Sequence, residues 1–316
     1  MIRFAVVGCG NIAKRSTIPA LIKSGVSSVV VCIDINPVVE KEIKEKFDLP
    51  FETDIEVALA KYQFDAVYIS TPVSIHKNII EKVAKHHKHI LCEKSLAVNY
   101  EEALEIASIA RENNIAIFEG FMYQFHAQHA VVKDLIESGE IGTPFHYQAW
   151  FGFPPIASTD FRYKKSLGGG AVLDAGSYTV HSARHFFNQE PKEVFSVLEN
   201  EMHEVEIRGT VLLNFANSKT AHLVFGFNNK YQNKYIIWGT TGTITLERAF
   251  GIPSDYQSTL IIDKQDSKRE IAMPICDHFV EEIKYFVKQI KNKNITEQWI
   301  LEFLSQSKIL SQIKNT

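Results

Sequence analysis

The first third of the chain alternates short apolar runs with amphipathic stretches. "IRFAVVG", "VSSVVVCID", "FDAVYIST", "KHILCEK" and "IAIFEGFM" have the length and β-branched content of strands, and helical patterns separate them. Strands joined by helical crossovers form right-handed βαβ units, so this part predicts a doubly wound parallel sheet covered on both faces. From about residue 145 the pattern changes to longer, alternating runs: "PFHYQAWFGF", "EVFSVLEN", "VEIRGTVLLNFA", "KTAHLVFGF", "KYIIWGT" and "GTITLER", linked by tight turns such as "ANSK" and "TTG". Alternation between short turns predicts an antiparallel sheet with one face less buried. One helix over 173–187 interrupts this series, and two helical patterns, 277–292 and 296–313, close the chain. The sequence has no internal repeat and no low-complexity tract.

The length of 316 residues exceeds one typical core and suits two domains. We expect an α/β domain over 1–122 and an α+β domain over 123–316, the final helices packing back on the first. Apolar residues make up 45% and charged residues 22%, the balance of a folded globular protein. With 34 basic against 37 acidic residues, the net charge of -3 gives no general attraction to nucleic acid or an anionic membrane. Any anionic ligand must then be held by local groups. The opening "MIRFAVVGCGNIAKR" breaks into glycines where a signal peptide would need its cleavage region, and no stretch is apolar enough to span a bilayer. A cytoplasmic protein is expected. Cys9, Cys32, Cys92 and Cys276 lack metal-ligand spacing and read as reduced thiols, and no partner carboxylate or cysteine follows the "HHKH" at residues 86–89 at ligand spacing, so no metal is expected.

"VVGCGNIA" places Gly8, Gly10 and Ala13 in a G-x-G-x-x-A turn directly after a strand. The first glycine permits the tight turn and the second admits a pyrophosphate to the backbone. The helix opening at Asn11 and Ile12 presents unsatisfied N–H groups to phosphate. The next strand ends at Asp34, close to the spacing at which an acid holds the adenosine ribose diol. Such a domain is a Rossmann dinucleotide site. No basic residue follows Asp34 until Lys41, so NAD is favoured over NADP.

In a doubly wound sheet, ligands lie outside the carboxyl ends of the strands. Thr71, Pro72 and His76 in "STPVSIH", and Glu93 and Lys94 in "LCEKSLAV", follow strand ends and are candidate cofactor contacts. Glu93 and Lys94 interrupt an otherwise apolar run, where a charge is expensive unless paired or working.

"GCGNIA", "STPVSIH", "LCEKSLAVNYEEA", "EGFMYQFHAQH" and "LGGGAVLDAGSYTV" occur in the order, and at roughly the spacing, of the glucose-fructose oxidoreductase and inositol dehydrogenase superfamily (Gfo/Idh/MocA), which nearly the whole chain resembles. The resemblance implies an N-terminal Rossmann domain and a C-terminal domain on an open, mostly antiparallel sheet commonly used for assembly. It makes Lys94 the lysine of the family's E-K-P, near nicotinamide and substrate, with Asp174 the acid of the helix after the glycines and Tyr178 the proton-transferring residue. Here Ser95 replaces the usual proline. Tyrosine at 178 is similar to the glucose-fructose oxidoreductase, dihydrodiol dehydrogenase and deoxysugar ketoreductase branches. The family's "FMYRFHPQ" becomes "FMYQFHAQ", which places Gln124 and His126 among candidate substrate contacts.

Asp174 and Tyr178 are four apart and share a face on a helix. If that face meets the carboxyl edge of the first sheet, a carbonyl oxygen can reach both Tyr178 and Lys94. A free phenol titrates near 10, and a nearby ammonium lowers that value while stabilising a developing alkoxide. Asp174 would orient Lys94 or bind a substrate hydroxyl. Gly168, Gly169 and Gly170 would let the backbone approach a ligand. The loop "FGFPPIASTDFRYKKSLGGG" is similar to that of ketoreductases acting on nucleotide-linked sugars, and Arg162, with Lys164 and Lys165, would bind diphosphate or form a solvated cluster.

The expected function is therefore hydride transfer between nicotinamide and a sugar or nucleotide-sugar carbonyl, in a homodimer or homotetramer. An aldose or dihydrodiol dehydrogenase is an alternative within the class. An NAD-dependent glycosidase without net redox, or an NAD-binding sensor without catalysis, stands outside it.

Overall fold

The computed structural model describes residues 1–291 and 295–315. By contacts the chain divides into two units: Met1–Phe121 with Phe279–Ser307, and Met122–His278 with Lys308–Thr316.

The first unit carries β1 (Ile2–Val7), α1 (Ile18–Lys23), β2 (Ser27–Ile33), α2 (Val38–Phe47), β3 (Phe51–Glu52), α3 (Ile55–Lys61), β4 (Ala66–Ile69), α4 (Val73–Ala84), β5 (His89–Glu93), α5 (Tyr100–Glu112) and β6 (Ile117–Gly120). Its six strands run parallel in the order β3-β2-β1-β4-β5-β6. All four residues of β4 are buried, as expected for a sheet covered on both faces. The order reverses between β1 and β4, whose register sets Val7 beside Ile69; this is the switch point at which doubly wound sheets bind ligands. Every strand expected here is present; β3, only two residues long, left no periodic signal.

The second unit contains α6 (Ala127–Glu137), β7 (Pro144–Gly152), α7 (Ser177–Phe187), β8 (Glu193–Glu199), β9 (Arg208–Asn214), β10 (Thr220–Gly226), β11 (Gln232–Gly239), β12 (Gly242–Glu247), β13 (Thr259–Lys264) and β14 (Ser267–Ala272). Its eight strands follow the order β14-β13-β12-β11-β7-β10-β9-β8, antiparallel except where β10 pairs parallel with β7. The inner face packs on α7, where the Tyr147 hydroxyl donates to Ser182 Oγ at 2.7 Å. On the outer face Phe195 is 53%, Val197 74% and Trp238 52% exposed.

Three elements, α6, β13 and β14, were not expected from the sequence. Five of the six β14 residues are exposed and the strand pairs on one side, so burial imposes no apolar alternation on it. The start of α6 coincides with the "FMYQFHAQ" motif, and His126 caps it by accepting the Gln128 N–H at 3.3 Å.

The two closing helices are α8 (His278–Gln289) and α9 (Ile295–Asn315). Asn292, the last residue of the first expected helix, lies outside the described residues. In the first unit Phe286 and Trp299 stack at 5.7 Å, Phe4 meets Phe286 at 5.8 Å, and Ile300 and Phe303 join the sheet's apolar core. Among the described residues no helix is long and apolar enough to cross a membrane.

Candidate active site

In the first unit, the glycine turn has the form its sequence called for. Gly8 sits at φ +87°, and a Cβ there would come within 2.7 Å of the Ser70 backbone, so a side chain is excluded by conformation and by space. A Cβ on Gly10 would meet nothing within 4 Å, which leaves room over the turn for a ligand. Asn11 and Ile12 are exposed at the opening of the helix, where the first N–H groups have no intrahelical acceptor. Asp34 is fixed by two backbone donors: Cys9 N–H to Oδ2 at 2.8 Å and Asn36 N–H to Oδ1 at 2.9 Å. Thr71 Oγ1 is buried without a hydrogen-bond partner at the end of β4, beside Pro72. An open cradle, a fixed carboxylate and an orphan hydroxyl at the switch point fit a dinucleotide.

Lys94 and Glu93 are half-buried at the end of β5, and the Lys94–Ser95 peptide is cis. The Glu93 carboxylate accepts a short hydrogen bond from the Tyr68 hydroxyl, which in turn accepts from Thr17 Oγ1 at 2.9 Å. Burial, then the charge of Glu93, raises the Tyr68 phenol well above its ordinary value. Behind this chain lies Glu282 of α8, 1% exposed, whose carboxyl is pushed well above the carboxylate range by burial and then by Glu93. His76 is also buried, with both ring nitrogens against backbone carbonyls, so its offer to a dinucleotide is the shape of the turn.

Tyr68, Glu119 and Glu282 were not among the residues the sequence singled out. Glu119, 7% exposed, accepts the Leu96 N–H at 2.8 Å and supports the stretch after Lys94. An acid inside the apolar "IAIFEGF" was the same signal that singled out Glu93. Glu282 lies in an ordinary amphipathic helix and gave none.

In the second unit, Tyr178 is 6% exposed and its hydroxyl donates to Met122 Sδ at 3.2 Å. Edge-on contacts with Phe151 at 5.2 Å and Tyr123 at 5.9 Å hold its ring. One turn on, His181 Nδ1 is 2.7 Å from the Tyr123 hydroxyl and the ring stacks on His185, so these histidines pack the helix. His126 is 1% exposed with Nε2 unpartnered, and burial lowers it to about 4. Gln124 is half-buried nearby in sequence.

Asp174 lies in a widened turn, Val172–Gly176, ahead of the regular helix, so the simple four-residue stacking on Tyr178 does not apply. Its Oδ2 accepts from Arg162 Nε at 2.7 Å. Arg162 also meets Asp160 at 3.2 Å, and its guanidinium lies over the Phe161 ring at 4.8 Å. The expected diphosphate ligand Arg162 therefore already serves two carboxylates, while Lys164 and Lys165 face solvent. The glycines correct a second expectation: a Cβ on Gly169 would strike the Arg162 carbonyl at 2.5 Å and one on Gly170 the Glu206 carboxylate at 2.3 Å. They serve the loop's own packing.

Two family profiles match the chain: "Oxidoreductase family, NAD-binding Rossmann fold" over residues 2–121, and "GFO/IDH/MocA C-terminal domain" over 129–245. The dTDP-3,4-didehydro-2,6-dideoxy-alpha-D-glucose 3-reductase of Saccharopolyspora spinosa is 32% identical over 292 residues, 92% of this chain and 88% of that protein. Its counterpart of the same name in Actinomadura kijaniata is 31% identical over 314 residues, 99% of this chain and 95% of that one. Among solved structures, a tyrosine-to-phenylalanine variant of a 3-ketoreductase from Actinomadura kijaniata, in complex with TDP-benzene and NADP, matches with a TM-score of 0.94 at 30% identity, covering 99% of this chain and 97% of that one.

Proposed function

This chain belongs to the GFO/IDH/MocA oxidoreductase family, and on that premise we propose that it reduces the ketone of a deoxyhexose carried on a nucleoside diphosphate, with Lys94 and Tyr178 serving the same carbonyl. Its activity class is NAD(P)-dependent oxidoreduction. The observation that carries the substrate class is the similarity, over nearly the whole chain, to two 3-reductases of a dTDP-linked keto sugar.

A bound nicotinamide supplies the hydride to the carbonyl carbon. The phenol of Tyr178 gives its proton to the carbonyl oxygen, and the Lys94 ammonium stabilises the negative charge that develops there. The aromatic cage around Tyr178 restricts its ring, and the hydroxyl donates to the Met122 thioether, a weak acceptor. Arg162, fixed by Asp160 and Asp174, shapes the substrate loop. The carboxylate of Asp34, held ready for a ribose diol and unfavourable to a 2′-phosphate, supports NAD as the preferred dinucleotide.

The test is consumption of NADH and NADPH with a TDP-linked 3-keto deoxysugar, followed by absorbance of the reduced nicotinamide and identification of the alcohol. Stoichiometric alcohol supports the proposal. Turnover confined to free aldoses or dihydrodiols, or elimination without net consumption of the dinucleotide, overturns it.

A further inference from the structure

The ring of His76 is 1% exposed on the inner face of α4, and each nitrogen meets a backbone carbonyl: Nε2 lies 2.9 Å from Thr71 O and Nδ1 3.2 Å from Leu96 O. These carbonyls belong to the turns after two adjacent strands, β4 and β5. The first turn abuts the glycine turn, for Ser70 Oγ donates to Gly8 O at 2.7 Å and Ser70 N–H to Val7 O at 2.8 Å. The second carries Lys94, two residues before Leu96. Leu96 is also held at its N–H, which donates to the Glu119 carboxylate at 2.8 Å.

A neutral imidazole has one N–H and one lone pair, so a ring between two carbonyls serves one fully at a time. Burial lowers the His76 value, and Lys94 acts in the same direction against the pull of the carbonyls. Lys77, the next residue on α4, pairs with Glu81 and Glu105, and Lys94 is a charged group that bears on the ring. A residue needed only to fill space would carry no polar atoms here, because burying them costs free energy unless they are used.

We propose that His76 is a positioning residue that sets the spacing between the Thr71 turn and the Lys94 turn, its one proton serving the two carbonyls in turn. Occupation of the dinucleotide cradle beside the first turn thereby fixes the ammonium carried on the second. The proposal rests on the reading of Lys94 as a residue of the reaction centre.

Two variants separate the halves of the clamp. In His76→Gln the amide nitrogen falls near the place of Nε2 and still serves Thr71; in His76→Asn it falls near Nδ1 and still serves Leu96. Calorimetry with NADH and NADPH, and saturating turnover with the TDP-linked keto sugar, should give a crossed pattern. His76→Gln should lose about tenfold more turnover than affinity and His76→Asn about tenfold more affinity than turnover, the scale expected when one buried carbonyl loses its donor. Equal losses in both variants, or none, overturn the proposal.

Imidazole NMR on the folded enzyme gives a readout independent of activity. Lys94→Met should raise the titration of His76, and an unmoved titration also overturns the proposal. If Lys94→Met keeps full turnover, the reading of Lys94 fails, while the His76 titration and the dinucleotide affinities still decide whether the two turns are coupled.

Discussion

Removing the charge of Asp34 should erase most of the discrimination between NAD(H) and NADP(H). A carboxylate offers about four lone-pair positions. Cys9 and Asn36 N–H groups occupy two of them at 2.8 and 2.9 Å, and the remainder suits the two hydroxyls of a ribose diol. Hydrogen bonds to a charged group contribute roughly 1.5–3 kcal/mol each. A 2′-phosphate deletes one of these and sets like charges near each other, at about 1 kcal/mol per unit pair in water and about 4 at an effective dielectric of 20 for a 4 Å separation. Asp34 is half-buried, so an intermediate repulsion applies. The sum is roughly 3–5 kcal/mol, or about 10²–10⁴ in Kd. Calorimetry on the parent should show NAD(H) tighter by that factor. Asp34→Asn, which keeps an acceptor for the Cys9 N–H but no charge, should bring the two affinities within about tenfold. Asp34→Ala should narrow the gap as well and weaken NAD(H) further, because the glycine turn then loses its anchor. A parent that binds NADP(H) as tightly as NAD(H), or an Asp34→Asn protein with an unchanged ratio, would refute the reasoning.

Three further outcomes are expected. Tyr178→Phe retains the ring in its aromatic cage, so its loss should fall on turnover, by roughly two to four orders of magnitude; Lys94→Met should be at least as damaging, the double variant less than additive, and near-parental turnover of Tyr178→Phe would remove Tyr178 from the proton path. The outer sheet face with Phe195, Val197, Leu212 and Trp238 should bury itself against a second copy, so light scattering at micromolar concentration should give a dimer or tetramer, and a monomer there counts against it. The carboxyl of Glu282 is raised by burial and Glu93, so the folded chain keeps a proton that the unfolded chain releases near pH 4.5; stability is therefore lost as pH rises from there toward the raised folded value. Glu282→Gln should flatten the dependence of Tm on pH and exceed the parent in alkali, whereas a deficit equal at every pH would contradict the assignment.

Much of this protein was legible in local sequence. The parallel sheet of the first unit followed from continuous apolar strands separated by amphipathic helices, because a strand buried on both faces has no polar alternation to offer. Gly8 was legible for the same kind of local reason: its φ and the Ser70 backbone behind it exclude any side chain. Lys94 stood out because a charge in an apolar run demands a purpose.

What tertiary structure decided was partnership. Nothing in "STDFRY" tells that Arg162 turns back onto Asp174, twelve residues away, instead of remaining open to an anion; the loop also packs Gly169 closely under the Arg162 carbonyl. Edge strand β14 lacked a pattern because one-sided pairing leaves its side chains in solvent. Glu282 entered the Glu93 and Tyr68 neighbourhood across a sequence separation that no periodicity spans, and His76 looked like a ligand contact until both its nitrogens were found against Thr71 and Leu96. Sequence periodicity reports which face of an element is buried, since burial acts on every turn or alternate residue; which atoms meet there depends on how distant elements pack, and one sequence carries no repeating trace of it.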